Sequence, residues 1–248
     1  MMNKLETVFW DLDGTIADTE LFGHRIAFNK AFSSHSLDWH WSKKEYIDLL
    51  VYPGGKNRIS QYSRIKGLDL SKSLINEIHS TKTNYYKELV ISGSIQNRTG
   101  VNRLINELMD KRIQQYIVTS SSHKSAETLI NSSFDSHRYP FDGLISSDIV
   151  NTVKPDPESY LKAIELSGSL PKNCLAIEDS LEGLTAAKSA GLRCLVSLSP
   201  WIKEPSSSFF SAELVVDHLG DYNKPNKFFS GSYKASTINF QLLSSLLN

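Results

Sequence analysis

The chain is poor in sulfur: its 248 residues include two cysteines, Cys174 and Cys194, and three methionines. Each cysteine falls inside an apolar, strand-like segment, so two buried free thiols in a reducing compartment are expected rather than a disulfide. No apolar run approaches the roughly 18 residues of a membrane span, and no membrane partner is expected. The first residues, MMNKLETVFW, lack the apolar stretch of a secretory signal. A cytoplasmic location is therefore expected, and the sequon Asn131-Ser-Ser carries no meaning there. An excess of charge is missing too: 27 basic residues balance 27 acidic ones, which excludes a global pull toward nucleic acid. What is present, 40% hydrophobic and 22% charged residues, is the composition of a globular chain. The length suffices for a core domain carrying an insertion.

Short apolar runs punctuated by small or charged residues predict buried parallel strands at Thr7–Trp10, Ile113–Thr119, Gly143–Ile145, Cys174–Ile177 and Leu192–Val196. Helical patterns alternate with them at Val101–Lys111, Ser125–Asn131, Pro157–Leu166 and Leu181–Ala190. Pro157 suits the start of its helix, and Gly191 the end of the last one. This alternation predicts an α/β fold, a doubly wound, Rossmann-like parallel sheet. One interval breaks it. From Ile16 to Gln96 only helix-like segments occur, around Leu21–Phe32, Lys43–Leu50, Arg58–Lys66 and Leu74–Leu89. That is too long for a simple crossover. The expected organisation is a discontinuous core, 1–15 and 97–248, with an α-helical cap of 16–96 inserted after the first strand. Leu214–Val216 is read as a further strand, and the tail after Pro200 has no firm assignment beyond Asn223.

The stretch VFWDLDGTIADTE places Asp11 and Asp13 at the carboxyl end of the first strand. Ligands of open parallel sheets bind at that edge. Two carboxylates so close repel each other unless a cation lies between them or one holds a proton, and oxygen ligands at this density suit Mg²⁺. A helix N-cap explains one aspartate but not two followed by Gly14 and Thr15. Later strand ends add Thr119, Ser120, Ser121 and Ser122 from IVTSSSHK, Lys154 from NTVKPDPESY, and Glu178 and Asp179 from LAIEDSLEG, with Ser180 as N-cap. Each alone has an ordinary reading as a serine turn, a surface lysine or a cap. Together, in one order at strand ends, they supply a nucleophile, a second acid, a hydroxyl donor, a fixed cation and metal ligands.

This ordered set, D-L-D-G-T at Asp11–Thr15, Ser120, K-P-D-P at Lys154–Pro157 and E-D-S at Glu178–Ser180, resembles the haloacid dehalogenase (HAD) superfamily of phosphohydrolases over residues 7 to 200. The resemblance implies that Asp11 attacks the substrate phosphorus to form an aspartyl-phosphate. Asp13 would serve as general acid and then base. Asp11, the Asp13 carbonyl and Asp179, with Glu178 close by, would hold Mg²⁺, while Lys154 and Ser120 steady the phosphoryl oxygens.

The substrate must be chosen by the inserted helices. Gly54 and Gly55 permit close backbone approach, and Lys56 and Arg58 offer a point charge and a planar fork, a pair suited to phosphate. A Walker A loop is excluded, because Lys56 is followed by Asn57 and no glycine precedes Gly55 at the required spacing. The series GHRIAFNKAF, LDWHW, YIDLL, GGKNRI and HSTKT, with AAKSAGLRCLVS later, resembles the CbbY-type phosphatases. These remove a phosphate from xylulose-1,5-bisphosphate, an inhibitor of Rubisco. By that resemblance Gly54–Arg58 would bind the second phosphate as the cap closes. Lys82, His79, Ser121 and Ser122 would contribute to substrate binding, and Glu20 would bond sugar hydroxyls. Ordinary structural roles compete for Lys82, His79 and His24, and Trp39 and Trp41 are expected to fill the cap core. The expected partner is thus a small sugar bisphosphate, acted on by a monomer. The alternatives are a broader sugar-phosphate or phosphoglycolate-type phosphatase and a β-phosphoglucomutase-like phosphotransferase. A dehalogenase needs neither Asp13 nor a metal, and a silent binding protein would be expected to lose one of Asp11, Asp13, Lys154 or Asp179.

Overall fold

The computed structural model describes residues 4–52, 54–134, 138–231, 233 and 235–248. Its backbone divides into two compact units, one of Met1–Asp18 with Asn97–Asn248 and one of Thr19–Gln96. The first is an α/β core. Six parallel strands, β1 (Thr7–Trp10), β2 (Gln114–Val118), β3 (Gly143–Ile145), β4 (Cys174–Glu178), β5 (Arg193–Ser197) and β6 (Leu214–Val216), lie in the order β3-β2-β1-β4-β5-β6. Strand order reverses at β1, which pairs with β2 on one side and β4 on the other, so the crevice of a doubly wound sheet opens at its carboxyl end.

The strands read as continuous apolar runs because both faces are covered. All four residues of β1 and all five of β4 are buried. Trp10 is fully buried, and its indole N–H donates to Gln115 Oε1 at 3.0 Å, which satisfies the polar edge of an otherwise apolar side chain. In the core unit the helices are α5 (Val101–Asp110), α6 (His123–Ser133), α7 (Glu158–Ser167), α8 (Leu181–Ser189) and α9 (Phe240–Ser245), once α1 to α4 of the other unit are counted first. Ser122 and Ser180 cap α6 and α8 through the backbone N–H groups of Ser125 and Gly183. Both cysteines are buried and free.

The second unit is helical: a π-turn at Glu20–His24 runs into α1 (Arg25–Ser34), followed by α2 (Lys43–Leu49), α3 (Gly55–Ile65) and α4 (Lys72–Ile91). Its centre is aromatic. Phe28, Phe32, Trp41 and Tyr46 are fully buried, Trp39 and Tyr62 nearly so, with Phe32 and Trp41 rings 4.7 Å apart and Trp41 and Tyr62 rings 5.3 Å apart. Each such burial contributes roughly 1.5–3 kcal/mol. Asn29 holds the Trp41 segment with both ends of its amide, accepting from Trp41 N–H and donating to Trp41 C=O. Trp39 and Trp41 therefore fill this core, as their sequence context indicates.

Three features depart from expectation. The compact core extends to Asp18 rather than ending at Thr15, because Arg98 N–H donates to Ile16 C=O and Ala17 bridges Asn97. Helix α3 starts at Gly55, three residues before the expected Arg58, with Gly54 at φ 79° immediately before it. Helix α9 was not legible in the tail; Asn239 caps it and Leu243 buries it.

Candidate active site

The carboxylates gather because two neighbouring strand ends, those of β1 and β4, deliver them. Asp11 follows β1 directly, its N–H bonded to Ile177 C=O at 3.0 Å, and Glu178 and Asp179 finish β4. Oxygens of Asp11, Glu178 and Asp179 lie within 4.8 Å of one another, all on buried residues. Lys154 joins them: Nζ donates to Asp11 Oδ1 at 2.8 Å, Val118 C=O at 2.8 Å and Glu178 Oε1 at 2.6 Å. Its three N–H bonds are thus committed, and the Tyr160 ring lies 5.2 Å away. Tyr160, on α7, also donates its hydroxyl to Glu178 Oε1. Ser199, beyond β5, donates to Asp179 Oδ2.

Two glycines make room for these carboxylates. Gly14 has φ +92°, and a Cβ there would sit 2.2 Å from Asp179 Oδ2. At Gly183 a Cβ would sit 1.9 Å from Glu178 Oε2.

Burial dominates the electrostatics. It pushes Glu178 up to about 7, with the Asp11 charge adding to the rise and Lys154 opposing it. Burial and the Asp11 charge likewise raise Asp179. Burial alone would lower the Lys154 ammonium, yet Asp11 and Glu178 outweigh it, so the lysine stays firmly charged. Lys154 pairs with Asp11 and Glu178, while the Arg98 charge opposes the rise at Asp179. Asp11 Oδ2 and Glu178 Oε2 are buried and accept no hydrogen bond among the described residues. Hard carboxylate oxygens of three residues within 4.8 Å of one another, with two buried oxygens left unpaired in the same cluster, fit a divalent cation, which would reverse the cost of burying them.

The remaining core residues surround this cluster in sequence. Asp13 is half-buried, and its Oδ2 accepts from Ser121 Oγ at 2.7 Å. Ser121 N–H in turn donates to Thr119 Oγ1. Ser120 is exposed just past β2, and Ser122 is committed as the α6 cap. The structure thus brings Asp11, Lys154, Glu178 and Asp179 together and ties Asp13 to Ser121, whereas Ser120 stands open.

The helical unit assembles a second cluster of opposite character. Tyr46 donates its hydroxyl to Glu20 and accepts from Arg58 Nη1 at 3.1 Å, while Arg58 Nε donates to Leu49 C=O. Burial and the Glu20 charge push the Tyr46 phenol well above its ordinary value, so it remains a donor. Arg58 and Lys82 are buried, at 7% and 8% exposure, which excludes a solvated helical charge for Lys82. Lys82 Nζ lies 2.9 Å from His24 Nδ1 and over the rings of Phe28 and Tyr86. A Cβ on Gly55 would lie 2.7 Å from His79 Nε2, so that ring packs directly on the α3 N-terminus. Lys56 is exposed in the first turn of the same helix. Burial and Lys82 lower His24, and burial and the Lys82 and Lys56 charges lower His79.

Sequence reasoning missed Tyr160, Ser199, Tyr46 and Arg98. Tyr160 reads as a core aromatic of an amphipathic helix and Ser199 as part of a serine-rich tail. Arg98 lies in the fragment RTGV, which carries no chemical signature of its own. Its guanidinium is buried and donates to four main-chain carbonyls, of Gly14, Ser197, Leu198 and Asp217, at 2.5–2.8 Å.

Comparison with known proteins adds family context. The family model described as haloacid dehalogenase-like hydrolase matches residues 5–191. Protein CbbY of Cereibacter sphaeroides is 36% identical over 218 residues, 88% of this chain and 94% of that one. A solved mutant of CbbY from Rhodobacter sphaeroides, in complex with xylulose-(1,5)bisphosphate, is similar at 35% identity with a TM-score of 0.70, covering 88% of this chain and 98% of its own. A putative β-phosphoglucomutase from Thermotoga maritima is similar at 25% identity and a TM-score of 0.67, covering 84% and 91%.

Proposed function

The chain belongs to the haloacid dehalogenase-like hydrolases and is a phosphatase; from that premise we propose that it hydrolyses a sugar bisphosphate, xylulose-1,5-bisphosphate, at its 1-phosphate. The observation that carries the chemistry is the convergence of Asp11, Lys154, Glu178 and Asp179 on one buried point. Mg²⁺ is the cation we assign to Asp11, Asp179 and the Asp13 carbonyl, with Glu178 beside them; when bound it supplies charge neutralisation for the phosphoryl group.

In this reading the Asp11 carboxylate attacks phosphorus, and the bond from phosphorus to the sugar oxygen breaks. Asp13 gives its proton to that departing oxygen, then takes one from the water that splits the aspartyl-phosphate. The hydrogen bond from Ser121 fixes the Asp13 carboxyl for both steps. Lys154, anchored on Asp11 and the Val118 carbonyl, offsets charge on the phosphoryl oxygens, and Ser120 is free to donate to them.

The bisphosphate assignment rests on the second cluster. Lys56 and Arg58, entering α3 behind Gly54 and Gly55, with Lys82 and His79, are the groups suited to a second phosphate, and Glu20, oriented by Tyr46, to a sugar hydroxyl. The similar CbbY structure holds that sugar bisphosphate, which supports the same class here. We propose a monomer, since the core unit completes its own carboxylate cluster, acting in the cytoplasm, where two free thiols persist. Among the described residues no helix is long and apolar enough to cross a membrane.

The likeness to a putative β-phosphoglucomutase keeps phosphoryl return to the sugar as a second reading. The test is inorganic phosphate release from xylulose-1,5-bisphosphate, ribulose-1,5-bisphosphate, fructose-1,6-bisphosphate, glucose phosphates and phosphoglycolate, with Mg²⁺ or with chelator, using Asp11→Asn as blank. Mg²⁺-dependent, selective release from the xylulose compound is expected. Isomerised sugar phosphate without free phosphate would favour the mutase, and equal release from all substrates would remove the bisphosphate assignment.

A further inference from the structure

Arg98 is a buried cation for which nothing above supplies a role. Its guanidinium forms no ion pair within contact distance among the described residues; its hydrogen bonds go to neutral carbonyls instead. Nη1 donates to Gly14 C=O and Ser197 C=O, and Nη2 to Leu198 C=O and Asp217 C=O. A planar fork with fixed donor directions is suited to such a task, because it dictates the separation of the segments it joins. Its own backbone N–H is bonded to Ile16 C=O at 2.7 Å, so the residue is itself tied to the loop that follows Asp11.

The segments it joins are those that bracket one carboxylate. Gly14 lies against Asp179, so close that a Cβ would approach Oδ2 to 2.2 Å. Ser197 and Leu198 lead directly into Ser199, whose hydroxyl donates to the same Oδ2. The Asp179 carboxylate therefore sits between a wall, Gly14, and a donor, Ser199, and one guanidinium sets the distance between the segments that carry them.

We propose that Arg98 is the positioning residue of Asp179, acting through the backbone of Gly14 and Ser197–Leu198 to hold that carboxylate where it can ligate a divalent cation. This rests on the metal site assigned above. Arg98 touches no reacting atom, so its effect falls on cation affinity rather than on the chemical step. Supports of this kind, lying behind the ligands themselves, typically govern metal affinity by about 10- to 100-fold.

The experiment is calorimetric titration of Mg²⁺ into the full-length protein, for wild type, Asp179→Asn, Arg98→Lys and Arg98→Gln, each first checked for a cooperative thermal melt. Lysine keeps the charge but cannot span four carbonyls; glutamine loses the charge as well. The expected result is that Arg98→Lys melts cooperatively and raises the Mg²⁺ dissociation constant about tenfold or more. At saturating Mg²⁺ its KM for the phosphorylated substrate should match wild type. An Arg98 variant that melts at lower temperature yet binds Mg²⁺ like wild type would overturn the proposal in favour of plain structural support. Failure of both variants to fold would overturn it equally. If wild type and Asp179→Asn bind Mg²⁺ alike, the metal-site assignment itself is what fails, a result distinguishable from the other two.

Discussion

The two units concentrate charge of opposite sign and solve the resulting problem differently. In the core unit, three buried carboxylates cluster, two of them paired with one lysine, and two of their oxygens accept no hydrogen bond among the described residues. In the helical unit, Lys82 and Arg58 are buried and Lys56 stands exposed near His79, while the Glu20 carboxylate accepts from Tyr46. An acidic cluster reaches phosphate only with a cation between, whereas a basic cluster takes phosphate directly. In the proposed function, bond breaking belongs to the core and recognition of the second phosphate to the helices.

That comparison is sharpened most strongly at Lys154. Replacing it in Lys154→Met leaves buried carboxylates without their one direct cation, a loss of about 3–5 kcal/mol for a broken buried pair. At roughly 2–4 °C per kcal/mol for a chain of this size, the melting temperature should fall by on the order of 10 °C. Added Mg²⁺ should recover part of the fall; a melt within ~2 °C of wild type would show that the carboxylates are held by something else.

A smaller effect is expected at Tyr46. Tyr46→Phe removes the donor to Glu20 and the acceptor of Arg58 while keeping the ring, a loss of about 1–3 kcal/mol for a buried group left unpaired. Steady-state kinetics should show KM raised with kcat within about twofold, the pattern of lost uniform binding. A fall in kcat at unchanged KM would move Tyr46 from recognition to chemistry.

The smallest effect concerns pH. Burial, with Lys82, Arg58 and His79 adding positive charge, lowers the folded-state pKa of His24 well below its ordinary 6.5. The unfolded chain then binds the extra proton first, so this contribution is complete above pH 6.5 and is lost as pH falls from there toward the folded value. The slope from one such group is at most about 1.4 kcal/mol per pH unit. Urea denaturation of wild type and His24→Gln across this window should show a shallower acid loss in the variant; parallel curves would clear His24 of the effect.

The same contrast explains what could be read from the chain alone. Asp11 and Asp13, Lys154, and Glu178 and Asp179 each follow or lie near a short apolar strand, so chemistry and local structure are signalled within a few residues. Their partners Tyr160 and Ser199 carry no such mark, since a tyrosine in a helix and a serine in a polar tail are ordinary until the fold places them. Arg98 lies 84 residues from Gly14 and 99 to 119 from the carbonyls of Ser197, Leu198 and Asp217, a separation no local pattern spans. In the helical unit Tyr46 sits 26 residues from Glu20 and 12 from Arg58, so their network is set by packing of the aromatic core. The glycine pair and basic residues of GGKNRI drew notice, but burial of Lys82 and Arg58 did not follow from sequence. The stretch beyond Asn223, α9 included, escaped assignment because it alternates neither at strand nor at helix period.

The division of labour itself is tested most directly by the specificity ratio of one exposed residue. Phosphate release from xylulose-1,5-bisphosphate and from xylulose 1-phosphate would be compared in wild type and Lys56→Ala, with Mg²⁺ saturating. A charge-assisted contact of about 1.5–3 kcal/mol predicts that kcat/KM for the bisphosphate drops roughly 10- to 100-fold while that for the monophosphate holds. An equal drop for both substrates, or none for either, would contradict recognition of a second phosphate by the helical unit.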